Sequence, residues 1–463
     1  MNKEITLEDL KAFERAYDSN PANRIAEHAA GHNGVYAAAY DTALESKITP
    51  TFSLEVKETG SVANQKSSGR CWMFAGLNVI RSIAMKKLHV KNLELSESYL
   101  MFFDKLEKSN LELEAALDHI DEDDDSRLLA TIYRLGGGED GGYWHFFTEL
   151  VRKYGVCPKS AQLETVPTSA SSEMDDVLSQ VLSRDVSQLR AAYREGKTVE
   201  ELRALKEGML SEVYRILTIC IGKPVTEFTY EYREDAPKKG EDQSEEKPEE
   251  KKEQEETFRR IHTTPKEFFD TYVGADLDDY VDLVNWPIRG FKLHQTYTSE
   301  LCDNVVGGKL HKSLTVDLKE LKDAIVASLK GGDLVWFACD VTPYLYRNKG
   351  ILDTKLIDLD TLFDTTLGFD KGERLLCRAS QCNHAMTFTG ANIKEDGSVD
   401  KWKVENSWGE KVGYDGYWTM TDRFFDNYVY EAVVNKKYIP EDLLKALEKD
   451  PVVLPPWSPV NVG

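Results

Sequence analysis

The chain has 463 residues, 41% of them hydrophobic and 10% aromatic, enough for two to four packed units with buried cores. Its formal net charge is -22, from 58 basic against 80 acidic side chains, and a surface of that sign repels phosphate backbones, so nucleic acid is not an expected partner. No run approaches the roughly 18 apolar residues of a membrane span, and the opening MNKEITLEDL carries acids where a secretory or transit sequence has none.

A cytoplasmic protein without a membrane partner is therefore expected. The seven cysteines, Cys71, Cys157, Cys220, Cys302, Cys339, Cys377 and Cys382, are odd in number and irregular in spacing. That is the usage of a reducing compartment rather than of a disulfide framework. Only Cys377 and Cys382 lie close together, with no second pair or histidine cluster at zinc spacing, so neither a metal nor another cofactor is expected.

Residues 1–50 read as helix and loop, with Leu7, Leu10 and Phe13 at three-residue spacing, and Thr51 to Ala63 as extended chain. Ser67-Ser68-Gly69 then breaks the pattern and supplies capping hydroxyls for a helix starting at Cys71. On that helix Cys71, Phe74, Ala75 and Asn78 share one face, with Leu77, Ile80 and Ala84 beside it. Helix continues over 93–117, and the acidic run Asp121 to Asp125 lacks the glycine and glutamate of a calcium loop.

Gly136 to Gly142 is a glycine-rich loop entering the amphipathic stretch YWHFFTELVRKYG; without a following Lys-Ser or Lys-Thr it is not a nucleotide loop. Residues 170–220 form a long helical pattern, and Lys238 to Glu256 is a low-complexity Lys/Glu/Gln run expected to be disordered. From about Tyr280 the character turns to strands: Leu334 to Cys339 after a helix, then Met386 to Ala391, Trp402 to Glu405 and Tyr417 to Met420. Helices first and strands later argue for an α+β architecture with two facing lobes.

A thiol near its ordinary pKa is a poor nucleophile, whereas a thiolate over a helix N-terminus and beside a histidine is a strong one. Gln65-Lys66-Ser67-Ser68-Gly69-Arg70-Cys71-Trp72 resembles the nucleophile segment of papain-like cysteine peptidases, with Gln65 six residues ahead of Cys71. Asn383-His384-Ala385-Met386 resembles that family's histidine strand, and Glu405-Asn406-Ser407-Trp408-Gly409 its asparagine block, in the family order. The resemblance implies a papain-like fold with a helical and a β-barrel-like lobe. It also implies Cys71 as nucleophile, His384 as base and acid, Asn406 as orienter of the imidazole, and Gln65 in the oxyanion hole. Trp408 would cover the His–Asn bond, Trp72 would support the nucleophile, and Asp140, Gly141 and Gly142 would line the substrate cleft.

Ser68 stands where secreted relatives carry a disulfide cysteine, and the separation of Cys71 from His384 implies a large insertion between lobes. Those traits are similar to the bleomycin hydrolase / aminopeptidase C branch, as are Asn304-Val305-Val306-Gly307-Gly308 and the run from Lys401 to Trp457. The implied organisation is an N-terminal segment (1–60), a helical lobe (61–165), a helical insertion with a charged loop at 238–256 (166–300), a β-rich lobe (301–440) and a C-terminal tail (441–463). The branch implies a cytosolic homohexamer that removes amino-terminal residues from peptides with a free N-terminus. In it the tail's terminal carboxylate, here Gly463, meets the substrate's ammonium. The ending Ser458 to Gly463 departs from the usual pattern, so an oligo-endopeptidase reading stays open, with a catalytically idle scaffold as a third.

Overall fold

The computed structural model describes residues 3–235 and 257–460. The charged run at 238–256 and Gly463, expected respectively as a disordered loop and a substrate anchor, lie outside the described residues.

Two exposed helices open the chain, α1 (Leu7–Asp18) and α2 (Pro21–Asn33). Thr6 and Asp9 cap α1 reciprocally, and none of its residues is buried. The helix starting at the nucleophile is α3 (Cys71–Leu88), in which every residue from Trp72 to Ser82 is buried. A helix buried on all sides belongs at the centre of a fold, and α3 lies between the other helices and the sheet. Around it stand α4 (Glu97–Asp118) and α5 (Trp144–Tyr154).

The long helical pattern after residue 170 is two helices, α6 (Ser172–Arg194) and α7 (Val199–Ile221). Thr198 and Glu201 form a capping box that restarts the helix after the turn. Both pack on α4.

Within the extended stretch 51–63 only β1 (Leu54–Glu55) pairs with another strand. A separate two-stranded ribbon joins β2 (Phe228–Glu234) to β3 (Thr257–Thr263). The large sheet then takes β4 (Tyr280–Val284), β5 (Thr296–Ser299), β6 (Ser313–Thr315), β7 (Val335–Cys339), β8 (Leu345–Tyr346) and β9 (Ile351–Leu352). It is completed by β10 (His384–Ile393), β11 (Val399–Glu405), β12 (Tyr417–Thr421), β13 (Val429–Asn435) and β14 (Val452–Leu454).

Its order is β14-β5-β6-β4-β13-β7-β10-β11-β12-β9-β8, with β1 added to β10. Strands from both sides of residue 300 therefore share one sheet. Helix α8 (Leu318–Lys330) covers it at β10 and β13. At the sheet's centre Phe337 stacks on Phe388 at 3.8 Å. Among the described residues no helix is long and apolar enough to cross a membrane.

Candidate active site

Cys71 is the first residue of α3, and the residue before it, Arg70, makes no side-chain cap bond. The expectation that Ser67 and Ser68 cap this helix fails for a physical reason. Ser68 Oγ instead donates to the Gln65 carbonyl at 2.7 Å and accepts from Arg70 Nε at 2.9 Å. Arg70 then forks onto both carboxylate oxygens of Glu164 at 2.9 Å. The loop is tied to itself, and the amides of the helix start stay available to the sulfur. The Ala385 N–H donates to Cys71 Sγ at 3.5 Å.

His384 opens β10, and Asn406 directly follows β11. Antiparallel pairing, with Thr387 opposite Glu405, sets the start of one strand beside the end of the other. His384 Nε2 lies 2.9 Å from Asn406 Oδ1. That oxygen also accepts the Ser407 N–H at 2.7 Å, so Nε2 is the protonated ring nitrogen and Nδ1 is left free as a base. The Trp408 ring lies 4.9 Å from the imidazole at 33°, and both His384 and Asn406 are buried.

Burial raises the Cys71 thiol, while the Ala385 and Trp72 amides pull it down. Burial also depresses His384 to about 4, against the supporting bond from Asn406. Neither ion is favoured alone, so thiolate and imidazolium must form together, each neutralising the other.

Gln65 is fixed at both ends of its carboxamide. Its Oε1 accepts the Ser407 hydroxyl at 2.5 Å, and its Nε2 donates to the Ser68 carbonyl at 2.5 Å. The amide has a second N–H, and Gln65 lines the cleft together with Cys71. If that N–H stabilises an oxyanion, Gln65→Ala is expected to lower kcat about 10²- to 10³-fold with little change in KM, measured by steady-state kinetics on an aminoacyl arylamide. Ser407 stands inside the asparagine block, yet its role as the clamp on Gln65 has no sequence signal.

The opposite wall is Asp140-Gly141-Gly142. The carboxylate of Asp140 lines the cleft but is occupied by the protein: it accepts the Gly69 N–H at 2.6 Å and lies 3.0 Å from Lys105 Nζ. Against burial, the Lys105 cation with the Ser171 and Gly69 donors holds it at about 2. Asp140 thus fastens the loop before Cys71. Lys108 Nζ donates to the Gly141 carbonyl at 2.5 Å and sits over the Trp72 and Phe146 rings. Gly142 lies against Trp72, and a Cβ there would stand 2.6 Å from the indole. The sequence gives no sign of Lys105 and Lys108, because helical lysines are ordinarily solvated.

Gln65, Cys71, Lys108, Asp140, Gly141, Gly142 and His384 line a cleft of about 500 Å³ between the helices and the sheet, bordered also by Pro456 of the tail. The tail is anchored upstream, by parallel pairing of β14 with β5 and by Arg378, which donates to the Trp457 carbonyl at 2.6 Å. Ser458, Pro459 and Val460 line an adjoining cavity that shares Tyr143 and Cys382 with the cleft.

A thiol at the start of a central helix, facing a His–Asn pair across a cleft between helical and sheet halves, defines a papain-like cysteine peptidase. Residues 4–461 match the model of the Peptidase C1-like family. The chain is 38% identical over 464 residues to Aminopeptidase C of Lactobacillus helveticus, covering 100% of this chain and 99% of that one. It is 35% identical over 468 residues to Bleomycin hydrolase of Homo sapiens, covering 99% and 98% of the two chains. Its fold matches the crystal structure of PepW from Lactobacillus rhamnosis HN001 with a TM-score of 0.92, at 39% identity and 99% coverage of each chain. The chain belongs to the Peptidase C1-like family.

Proposed function

We propose that the chain is a thiol aminopeptidase that removes N-terminal residues from peptides through an acyl-enzyme on Cys71. His384 Nδ1 takes the thiol proton as the sulfur attacks the carbonyl carbon. Gln65 and the Cys71 N–H donate to the oxyanion. Collapse breaks the C–N bond, and His384 returns the proton to the departing amine. Water, deprotonated by His384, then cleaves the thioester. Asn406 holds the ring, and Trp408 shields that bond.

The observation that carries the exopeptidase reading is the tail. Pro456 borders the cleft, and Ser458 to Val460 wall the cavity that adjoins it at Tyr143 and Cys382. A chain extending on that side meets protein after a short distance. The relatives named as aminopeptidases support the same reading.

The decisive comparison uses fluorogenic peptides with a free or an acetylated N-terminus. Wild type is expected to cleave only the free amine, and a chain truncated after Pro459 to gain activity on the acetylated one. Equal cleavage of both by wild type would favour the oligo-endopeptidase reading instead. A cytoplasmic homohexamer completes the proposal. The exposed Leu7, Leu10 and Phe13 of α1 support a face covered by another copy, which sedimentation of wild type and a Leu10→Asp variant would test.

A further inference from the structure

Arg347 belongs to a short turn, Arg347–Lys349, between β8 and β9. That turn is pinned on several sides. Tyr346 stacks on Tyr40 at 4.3 Å, and Lys349 Nζ lies 3.0 Å from the Glu45 carboxylate. Gly350, at φ 62°, passes so close to Gly413 that a Cβ would stand 2.5 Å from its Cα, and the Gly350 carbonyl accepts the Thr419 N–H at 2.8 Å. From this perch the guanidinium sits 4.5 Å over the Trp408 ring, which also lies against His384 and Trp418. Arg347 is exposed, and no carboxylate among the described residues pairs with it.

The polarity of the cleft follows from the chemistry. His384 protonates the departing nitrogen, so the leaving peptide exits on the His384–Trp408 side. The acyl half lies toward Gly141, Gly142 and the tail. Arg347 is thus an unpaired cation beside the leaving peptide, in a chain whose net charge is strongly negative.

We propose that Arg347 is a specificity residue that binds a carboxylate on the leaving peptide, within a residue or two of the scissile bond. That carboxylate is either the C-terminus of a short peptide or an Asp or Glu side chain. The planar fork suits a carboxylate, and stacking on the indole fixes its plane. The Arg347 charge also opposes the imidazolium of His384. A bound carboxylate offsets that repulsion when the ion pair forms.

The inference rests on the acyl-enzyme reading, and the experiment separates the two. Values of kcat/KM are measured for one N-terminal residue joined to Glu-amide, Gln-amide, Ala-amide, Ala with a free carboxylate, and a neutral arylamide. Wild type is expected to prefer Glu-amide over Gln-amide, or free Ala over Ala-amide, by about three- to fivefold, the scale of one exposed charge pair. The two comparisons tell a side-chain from a terminal carboxylate. Raised salt should erode either preference, Arg347→Gln should abolish it, and Arg347→Lys should keep part.

A preference absent from wild type, or unchanged in Arg347→Gln, would overturn the proposal. Equal losses on every substrate, the arylamide included, would make Arg347 only a support for Trp408. Failure of wild type to cleave the arylamide, or its cleavage by Cys71→Ala, would overturn the underlying reading instead.

Discussion

Cys71→Ala is expected to lower kcat/KM by about 10⁵- to 10⁶-fold, with the circular dichroism spectrum and thermal midpoint of wild type retained. The loss is large because the other thiols lining the cleft, Cys302 and Cys382, are pushed up by burial and neither starts a helix. The fold survives because the sulfur's contacts are weak backbone N–H bonds, such as that from Ala385 at 3.5 Å, and no salt bridge or side-chain bond depends on it among the described residues. Measurable turnover by the variant would remove Cys71 from the mechanism.

His384→Ala gives the companion result. With the imidazole present, the proton has a neighbour to go to, and the thiolate exists as half of an ion pair. Without it, burial raises the thiol's pKa against only the pull of nearby backbone amides. Alkylation of Cys71 by iodoacetamide at pH 6 is then expected to fall at least about 100-fold and to recover only in alkaline solution. An unchanged profile would mean that the helix N-terminus suffices without the histidine.

The second large effect is on stability. Arg81, on α3, donates to Glu405 at 2.5 Å, and both side chains are almost wholly buried. Glu405 is the residue before Asn406, so this pair ties the nucleophile's helix to the strand that carries the orienting asparagine. Arg81 also donates to the Ser61 carbonyl at 2.8 Å. Arg81→Ala leaves a carboxylate buried without its cation and is expected to cost about 3–5 kcal/mol, read from denaturant midpoints. Replacing both residues, Arg81→Met with Glu405→Leu, should recover most of that loss.

The pH dependence has a definite sign. Burial pushes Glu405 up to about 7 against the pull of Arg81. A carboxyl raised above its unfolded value contributes stability that is full below about 4.3 and is lost as pH rises through 7. Removing Arg81 raises Glu405 further, so the variant protonates it more readily. The cost of Arg81→Ala should therefore be smaller at pH 5.5 than at pH 8. A cost independent of pH would show that Arg81 acts through packing or the Ser61 bond.

The residues of the candidate site were legible because each sits in a short block of its own. The cysteine follows a loop of small residues, the histidine opens an apolar strand, and the asparagine stands in a Ser-Trp-Gly context. Their convergence was not visible in spacing, since it depends on the β10–β11 register. The residues that hold the site are a different matter. Arg81 meets Glu405 across 324 positions, and Lys105 meets Asp140 and Asp175 from inside the helical half. Each is an ordinary charged residue in sequence, and only the packing of α3 and α4 against their neighbours gives it a partner. The capping serines failed for the same reason. The Ser68 hydroxyl had a competing acceptor and donor within the loop, which local propensity does not weigh.

The tail's anchor turns peptide length into a measurement. Leu454 is fixed in the sheet and Trp457 by Arg378, so the tail beyond that clamp is a ruler that advances by no more than one extended residue length per residue. Each residue deleted from the end shortens the ruler by roughly 3.3–3.6 Å, the length of one substrate residue. On the proposed aminopeptidase reading, a ladder of single truncations is a ladder of permitted cleavage positions, read from the lengths of the products.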